Sequence, residues 1–225
     1  YGRYLRAGSA RIHPTLIPLK ASTGRMASAE PNFQNLPARD ADVHVRECFL
    51  ADEGKVFASA DFSSVEMRVA ASVTGDPALT AMYTTDPATV EDPRTLDPYW
   101  VLAFELCGAE ATKADRQMVK TIVLGRMYGG GAATLAENAS VADSRVNEVL
   151  RTYDTTYIGL APWAKEHIEP LCQAGRSWWR LPSGRYQWIN PGHGWKALNT
   201  IIQGYSRDIL ADALLRVADD PDLGP

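Results

Sequence analysis

Cysteine is scarce in this chain: Cys48, Cys107 and Cys172 are the three in 225 residues. They are odd in number, far apart and without metal-ligand spacing, so neither a disulfide framework nor a zinc site follows, and a reducing, intracellular setting is expected. Long apolar runs are missing as well, which leaves no segment that reads as membrane-spanning. Residues 1–20 mix charge and proline throughout, unlike a signal peptide. Positive charge is not in excess either. The formal net charge is −4, whereas a simple nucleic-acid-binding domain is usually basic.

The placement of charge says more than its sum. Lys113, Arg116, Lys120 and Arg126 fall in one helix-like stretch, and Arg176, Arg180 and Arg185 in one hairpin-like stretch. The acidic excess lies between Asp86 and Asp97 and in Asp219–Asp222. A protein that holds a polyanion on one face and metal-binding carboxylates at its centre can be near neutral overall. With 45% hydrophobic residues, there is material for one good core, or a core plus a lobe.

Strands are expected over residues 11–19, 43–50 and 55–60, the last two joined by Asp52-Glu53-Gly54. Thr23-Gly24-Arg25 opens a polar loop to Pro37. A helix is expected after Asp61, with Val65, Val69 and Val73 at steps of four and a stop at Gly75-Asp76-Pro77. Asp86-Pro87, Asp92-Pro93 and Asp97-Pro98 punctuate a loop, and residues 98–107 read as helical. Thr112 and Asp115 form a capping-box pattern that starts a basic helix, which Gly129-Gly130-Gly131 ends. Amphipathic helices are expected over 141–157 and 161–174, a hairpin over 177–188 and a last helix over 195–217. Strands first and helices after make an α+β layout.

Two segments carry the chemistry. Asp61 ends the apolar run Val56-Phe57-Ala58-Ser59-Ala60, where a strand meets a helix start. On its own it reads first as an N-cap, and Ser63-x-x-Glu66 as a capping box. The second segment places Arg116, Lys120, Leu124 and Tyr128 at steps of four, close to one helix face. A solvated charged face is the ordinary fate of such cations, but it would leave Leu124 and Tyr128 exposed without reason. A carboxylate able to hold a divalent metal, with two cations and an aromatic ring, suits nucleotidyl transfer from a triphosphate.

In their order, these segments resemble the palm and fingers of family A (polymerase I-like) DNA polymerases. Asp61-Phe62-Ser63-Ser64-Val65-Glu66-Met67-Arg68 is similar to motif A, and Arg116-x-x-x-Lys120-x-x-x-Leu124-x-x-x-Tyr128-Gly129 to motif B. Thr23 to Pro37, with Arg25, Asn32 and Asn35, resembles the segment lying along the primer-template minor groove. Asn199-x-x-x-Gln203-Gly204 resembles the palm helix that touches the primer-template terminus. The resemblance implies a right-hand polymerase architecture: an antiparallel palm sheet within 1–75, helical fingers within 76–174 carrying the motif B helix 112–128, and a hairpin and return helix within 175–225. It also implies roles. Asp61 and the Phe62 carbonyl would bind two Mg2+ ions. Glu66 would exclude a ribose 2′-hydroxyl, which speaks against a single-subunit RNA polymerase. Arg116 and Lys120 would hold the triphosphate, with Lys120 a candidate general acid for the leaving pyrophosphate, and Tyr128 would stack near the templating base. Phe62, Ser63, Ser64, Tyr99 and Leu124 would complete the nucleotide contacts. The implied partners are primer-template DNA and deoxynucleoside triphosphates, the implied process replication or repair, and the implied place the cytoplasm of a bacterium or phage-infected cell.

The pattern also departs from the family. The His-Asp-Glu turn of motif C does not occur, and only 22 residues (204–225) follow Gln203. The C-terminal part of the palm is therefore expected to be absent, as is the thumb that the resemblance places before Tyr1, and the isolated chain is expected to be inactive, or completed by a second chain that carries motif C. A non-catalytic lobe that binds DNA or nucleotide is the alternative. Leu124 stands where an aromatic residue is usual and cannot stack. Tyr99 stands where a phosphate-binding histidine is common, and Ser64 where glutamine is.

Overall fold

The computed structural model describes residues 11–36, 45–175 and 177–222. The chain divides into two compact units, Tyr1–Ser63 and Ser64–Pro225.

In the first unit, β1 (Thr15–Ile17) pairs antiparallel with β2 (Ala27–Ala29), Leu16 opposite Ser28. Buried Ser28 ties the next turn: its hydroxyl donates to the Pro31 carbonyl and accepts from the Phe33 amide, each at 3.2 Å. Asn32 caps a 3-10 turn, Phe33–Asn35, by accepting from the Gln34 amide at 3.0 Å. Two expected strands are not formed. Residues 45–48 of the stretch 43–50 make a 3-10 turn, while 43 and 44 lie outside the described residues. Residues 55–60 have no regular structure, with Val56 88% and Phe57 71% exposed. A strand needs a neighbour to satisfy its backbone and cover its apolar side chains, and no described strand pairs with this one. The antiparallel sheet is thus replaced, among the described residues, by two separate two-stranded ribbons in a helix-rich chain.

The second unit is helical. Its helices are α1 (Val65–Thr74), α2 (Pro77–Thr84), α3 (Pro98–Cys107), α4 (Lys113–Met127), α5 (Ala132–Ala139), α6 (Asp143–Thr156), α7 (Leu160–His167) and α8 (Glu169–Gln173). After them come the hairpin β3 (Trp178–Arg180) and β4 (Tyr186–Trp188) and the long α9 (Ala197–Asp219). Val119, Ile122 and Val123 of α4 meet Met67 and Val69 of α1 and Leu102 of α3 in the main core. Each such side chain contributes about 1.5–3 kcal/mol when fully buried. Adjacent residues of α9 face different clusters: Ile202 joins the main core, while Ile201 packs with Ile168, Leu181 and Ile189.

Asp-Pro steps organise the unit. Asp76, Asp86, Asp92 and Asp97 each accept from a backbone amide two or three residues on, with proline at the first helical position. Proline there loses no hydrogen bond and has φ preset. The expected loop at 86–97 therefore holds two 3-10 turns, Pro87–Thr89 and Pro93–Leu96, and α2 and α5 arise where no helix was expected. The expected helix over 161–174 is divided at Ile168, because Pro170 has no amide to continue the ladder. Its last counterpart starts at Ala197, after a 3-10 segment at Pro191–Lys196.

Candidate nucleotide site

The basic helix α4 is fixed at both ends by its sequence. Thr112 accepts from the Asp115 amide, and the Asp115 carboxylate accepts from the Thr112 amide at 2.8 Å, closing the capping box. The Thr112 hydroxyl, then its amide, hold the Asp115 carboxyl below its ordinary pKa. At the other end Gly129, with φ 84°, donates to the Arg126 carbonyl, and Gly130 to the Gly125 carbonyl, each at 2.9 Å. This is the Schellman ending, for which a left-handed glycine is the favoured residue.

Between these caps, α4 carries the expected cations to one aromatic ring. Tyr99, near the start of α3, is 2% exposed. The Arg116 guanidinium stands 5.6 Å and the Lys120 ammonium 5.8 Å from its ring centroid, within reach of cation–π attraction. Burial, then the charges of Tyr83, Glu66 and Asp97, push the Tyr99 hydroxyl well above its ordinary pKa. Beside it, Arg68 lies 4.4 Å over the Tyr83 ring, and burial raises the Tyr83 hydroxyl to about 12.

Glu66 joins the same face by a different route. It is the second residue of α1 and 9% exposed. Tyr128, the C-cap of α4, donates its hydroxyl to Glu66 Oε1 at 2.9 Å. The expected Ser63-x-x-Glu66 capping box is not what orients it: the N-cap is Ser64, in the left-handed region at φ 50°, and it makes no side-chain cap bond. Leu124 is half-buried and packs against the main core, leaving Tyr128 as the exposed ring at this end, at 48%.

Asp61, Phe62 and Ser63 belong to the first unit and are exposed. Arg25 is half-buried and Asn32 and Asn35 are exposed in that unit, Asn32 being occupied as a turn cap. Asn199 and Gln203 are one turn apart on α9. Gln203, only 6% exposed, donates its amide to Asn199 Oδ1 at 3.1 Å. The adjacent Gly204 admits the hairpin, since a Cβ there would stand 2.6 Å from Gln187 Oε1.

The residue that sequence reasoning missed is Asp97. Its Oδ1 caps α3 through the Tyr99 and Trp100 amides at 2.9 and 3.1 Å. Its Oδ2 accepts from Arg116 Nη2 at 2.6 Å and Nε at 3.2 Å. The Asp97-Pro98 step was the available signal, as a helix start rather than a loop marker.

A pair of Mg2+ ions needs several carboxylates turned to one point. Among the described residues, no three His, Cys, Asp or Glu side chains come together in that way, and Asp61 offers a single exposed carboxylate. The described residues do not by themselves fit the two-ion site.

The helical unit thus sets a capped basic helix beside a buried tyrosine and a tyrosine-held glutamate. The model of DNA polymerase family A matches residues 3–222, and the chain belongs to that family. It is 34% identical over 215 residues to a DNA polymerase of Mycobacterium phage D29, covering 94% of this chain and 33% of that protein. It is 30% identical over 224 residues to DNA polymerase I of Mycobacterium tuberculosis, covering 94% of this chain and 24% of the relative. The chain thus spans a third or less of these relatives. Among solved structures, it resembles the polymerase domain of Pol1 from M. smegmatis in complex with DNA primer-template and dNTP. That likeness has a TM-score of 0.72 and 26% identity, over 96% of this chain and 38% of the other. No described helix is long and apolar enough to cross a membrane.

Proposed function

We propose that this chain supplies the nucleotide-binding face and part of the primer-template contact of a DNA polymerase. The reaction is template-directed attack of a primer 3′-hydroxyl on the α-phosphorus of a deoxynucleoside triphosphate, with pyrophosphate leaving in line. The observation that carries this reading is the convergence of Arg116 and Lys120 on buried Tyr99, on the same helix whose C-cap, Tyr128, holds Glu66. Two fixed cations at one end neutralise charge on a triphosphate and on departing pyrophosphate. Lys120, with three donors, can also deliver a proton to the leaving group. At the other end Glu66, held by Tyr128, occupies the space a ribose 2′-hydroxyl would need. Residues 1–75 and 175–225 take the palm role and 76–174 the fingers role, with Arg25, Asn32, Asn35, Asn199 and Gln203 on the DNA. Bacterial or phage-infected cytoplasm and a part in replication or repair accord with this reading.

A second reading has its own support: the described residues gather no metal-binding group of three. In it the chain is a lobe whose further carboxylate comes from outside those residues, on a complementary polypeptide or a longer one, or a lobe that binds nucleotide without turning it over. In either reading Asp61 is the carboxylate that this chain gives to the two Mg2+ ions of the family.

Amine labelling tests the shared core of both readings. Lysines are modified in the presence of dTTP or thymidine and quantified by peptide mass spectrometry. Lys120 should be shielded by dTTP and left reactive by thymidine. Equal labelling of Lys120 under both conditions would count against a triphosphate on this face.

A further inference from the structure

Arg116 does not wait in solvent for an anion. Asp97 accepts from its Nε and Nη2, the side edge of the guanidinium, and the two side chains are 24% and 25% exposed. An arginine has five N–H donors in a rigid plane. Two are taken, and no hydrogen bond with the other described residues engages Nη1. The end-on edge, Nη1 with the second hydrogen of Nη2, is therefore the edge left to grip two phosphate oxygens together. The holding carboxylate is itself immobile, because its other oxygen caps α3 through two backbone amides. Tyr99, the first of those amides, is also the ring beneath Arg116. One aspartate thus fixes the helix start, the ring and the guanidinium relative to one another.

We propose that Asp97 is a positioning residue for triphosphate binding: it holds Arg116 by its side edge so that the end-on edge faces the phosphates. The inference rests on the nucleotide-binding reading above and adds a residue to it. Two opposing effects meet at Asp97. Its negative charge repels a triphosphate, while its hold on Arg116 avoids the entropy of ordering a long side chain on binding. The second effect prevails because the repulsion is already offset by the guanidinium between carboxylate and ligand.

The test is calorimetric titration of dTTP into the whole chain, with four variants. Asp97→Asn keeps the cap, since asparagine caps as well as aspartate, but loses the ionic hold. It should weaken dTTP binding about fivefold, with unchanged melting of the fold. In an Arg116→Ala background the same change should have no further effect, a non-additivity that a purely structural role would not produce. Asp97→Glu, which restores the charge, should recover part of the affinity even if Asp97→Asn folds poorly. Equal or tighter binding by Asp97→Asn would overturn the proposal, as would an equal loss in the Arg116→Ala background. Failure of the wild-type chain to bind dTTP, or indifference to Arg116→Ala alone, would instead overturn the nucleotide-binding reading and this inference with it.

Discussion

Gly159→Ala tests how the helical unit is held together. Gly159 lies at the start of α7 in ordinary helical backbone, φ −80° and ψ −22°, so alanine meets no conformational obstacle there. The obstacle is spatial. A Cβ would stand 2.8 Å from Asp76 Cα and 3.1 Å from both Asp76 Cβ and Oδ2. Asp76 cannot retreat: it is 0% exposed, and its Oδ1 accepts from the Leu79 amide at 2.9 Å while Oδ2 accepts from the Gly159 amide at 2.7 Å. Relieving the overlap means parting the two turns and losing that second bond. Overpacking costs about 1–3 kcal/mol, and a hydrogen bond to a charged group contributes about 1.5–3 kcal/mol. The two overlap, because the movement that relieves one forfeits the other, so a net loss of about 2–4 kcal/mol is expected. Small domains have about 5–15 kcal/mol in total. Urea denaturation should show the midpoint falling with the slope unchanged. Gly131→Ala is the internal control, since nothing lies within 4 Å of its Cβ and its φ is −75°; a change within about 0.5 kcal/mol is expected. Equal behaviour of the two variants would refute the reasoning.

Tyr128→Phe removes the donor to Glu66 and should reduce the preference for dTTP over UTP in competition binding, in the same direction as Glu66→Ala but by less; an unchanged preference in both would disconnect this pair from sugar selection. Leu124→Tyr, in a polymerase carrying this segment, should increase dideoxynucleotide incorporation, and unaltered discrimination would contradict the placement of Leu124 near the sugar. Asp115 gives a pH dependence. Its folded pKa is lowered, first by the Thr112 hydroxyl, so its contribution is present above the unfolded value and lost as pH falls through the folded one. Melting temperatures of the wild type and Asp115→Asn should therefore differ at neutral pH and converge below about pH 4; parallel profiles would mean that the capping box contributes nothing to stability.

What the sequence made legible was local. The Thr112–Asp115 capping box and the run of glycines after Tyr128 have short-range physics, and α4 lies between them. The hairpin around Pro182-Ser183-Gly184 follows from turn chemistry in the same way. The helix starts at Asp76 and Asp97 were written just as locally but invite a different reading, because an Asp-Pro step ends one element while beginning the next. The strand expected before Asp61 failed for a nonlocal reason. Alternation and apolar content describe a strand only when a neighbour exists, and residues 55–60 find none among the described strands. Partners such as Glu66 with Tyr128, 62 residues apart, or Asp97 with Arg116 cannot be read from spacing at all. The candidate cations were visible as a helical stripe; the tyrosine they converge on, and the carboxylate that holds one of them, became visible only with the packing of α3 against α4.

Whether Arg116 and Lys120 read the phosphates of a nucleotide is decided by equilibrium binding of dTTP, dTDP, dTMP and thymidine to the whole chain and to its Lys120→Ala variant. The account predicts affinity that falls with each phosphate removed in the wild type, and a flattened series in the variant. Equal affinity of the wild type for all four, or a series that survives unchanged without Lys120, would contradict it.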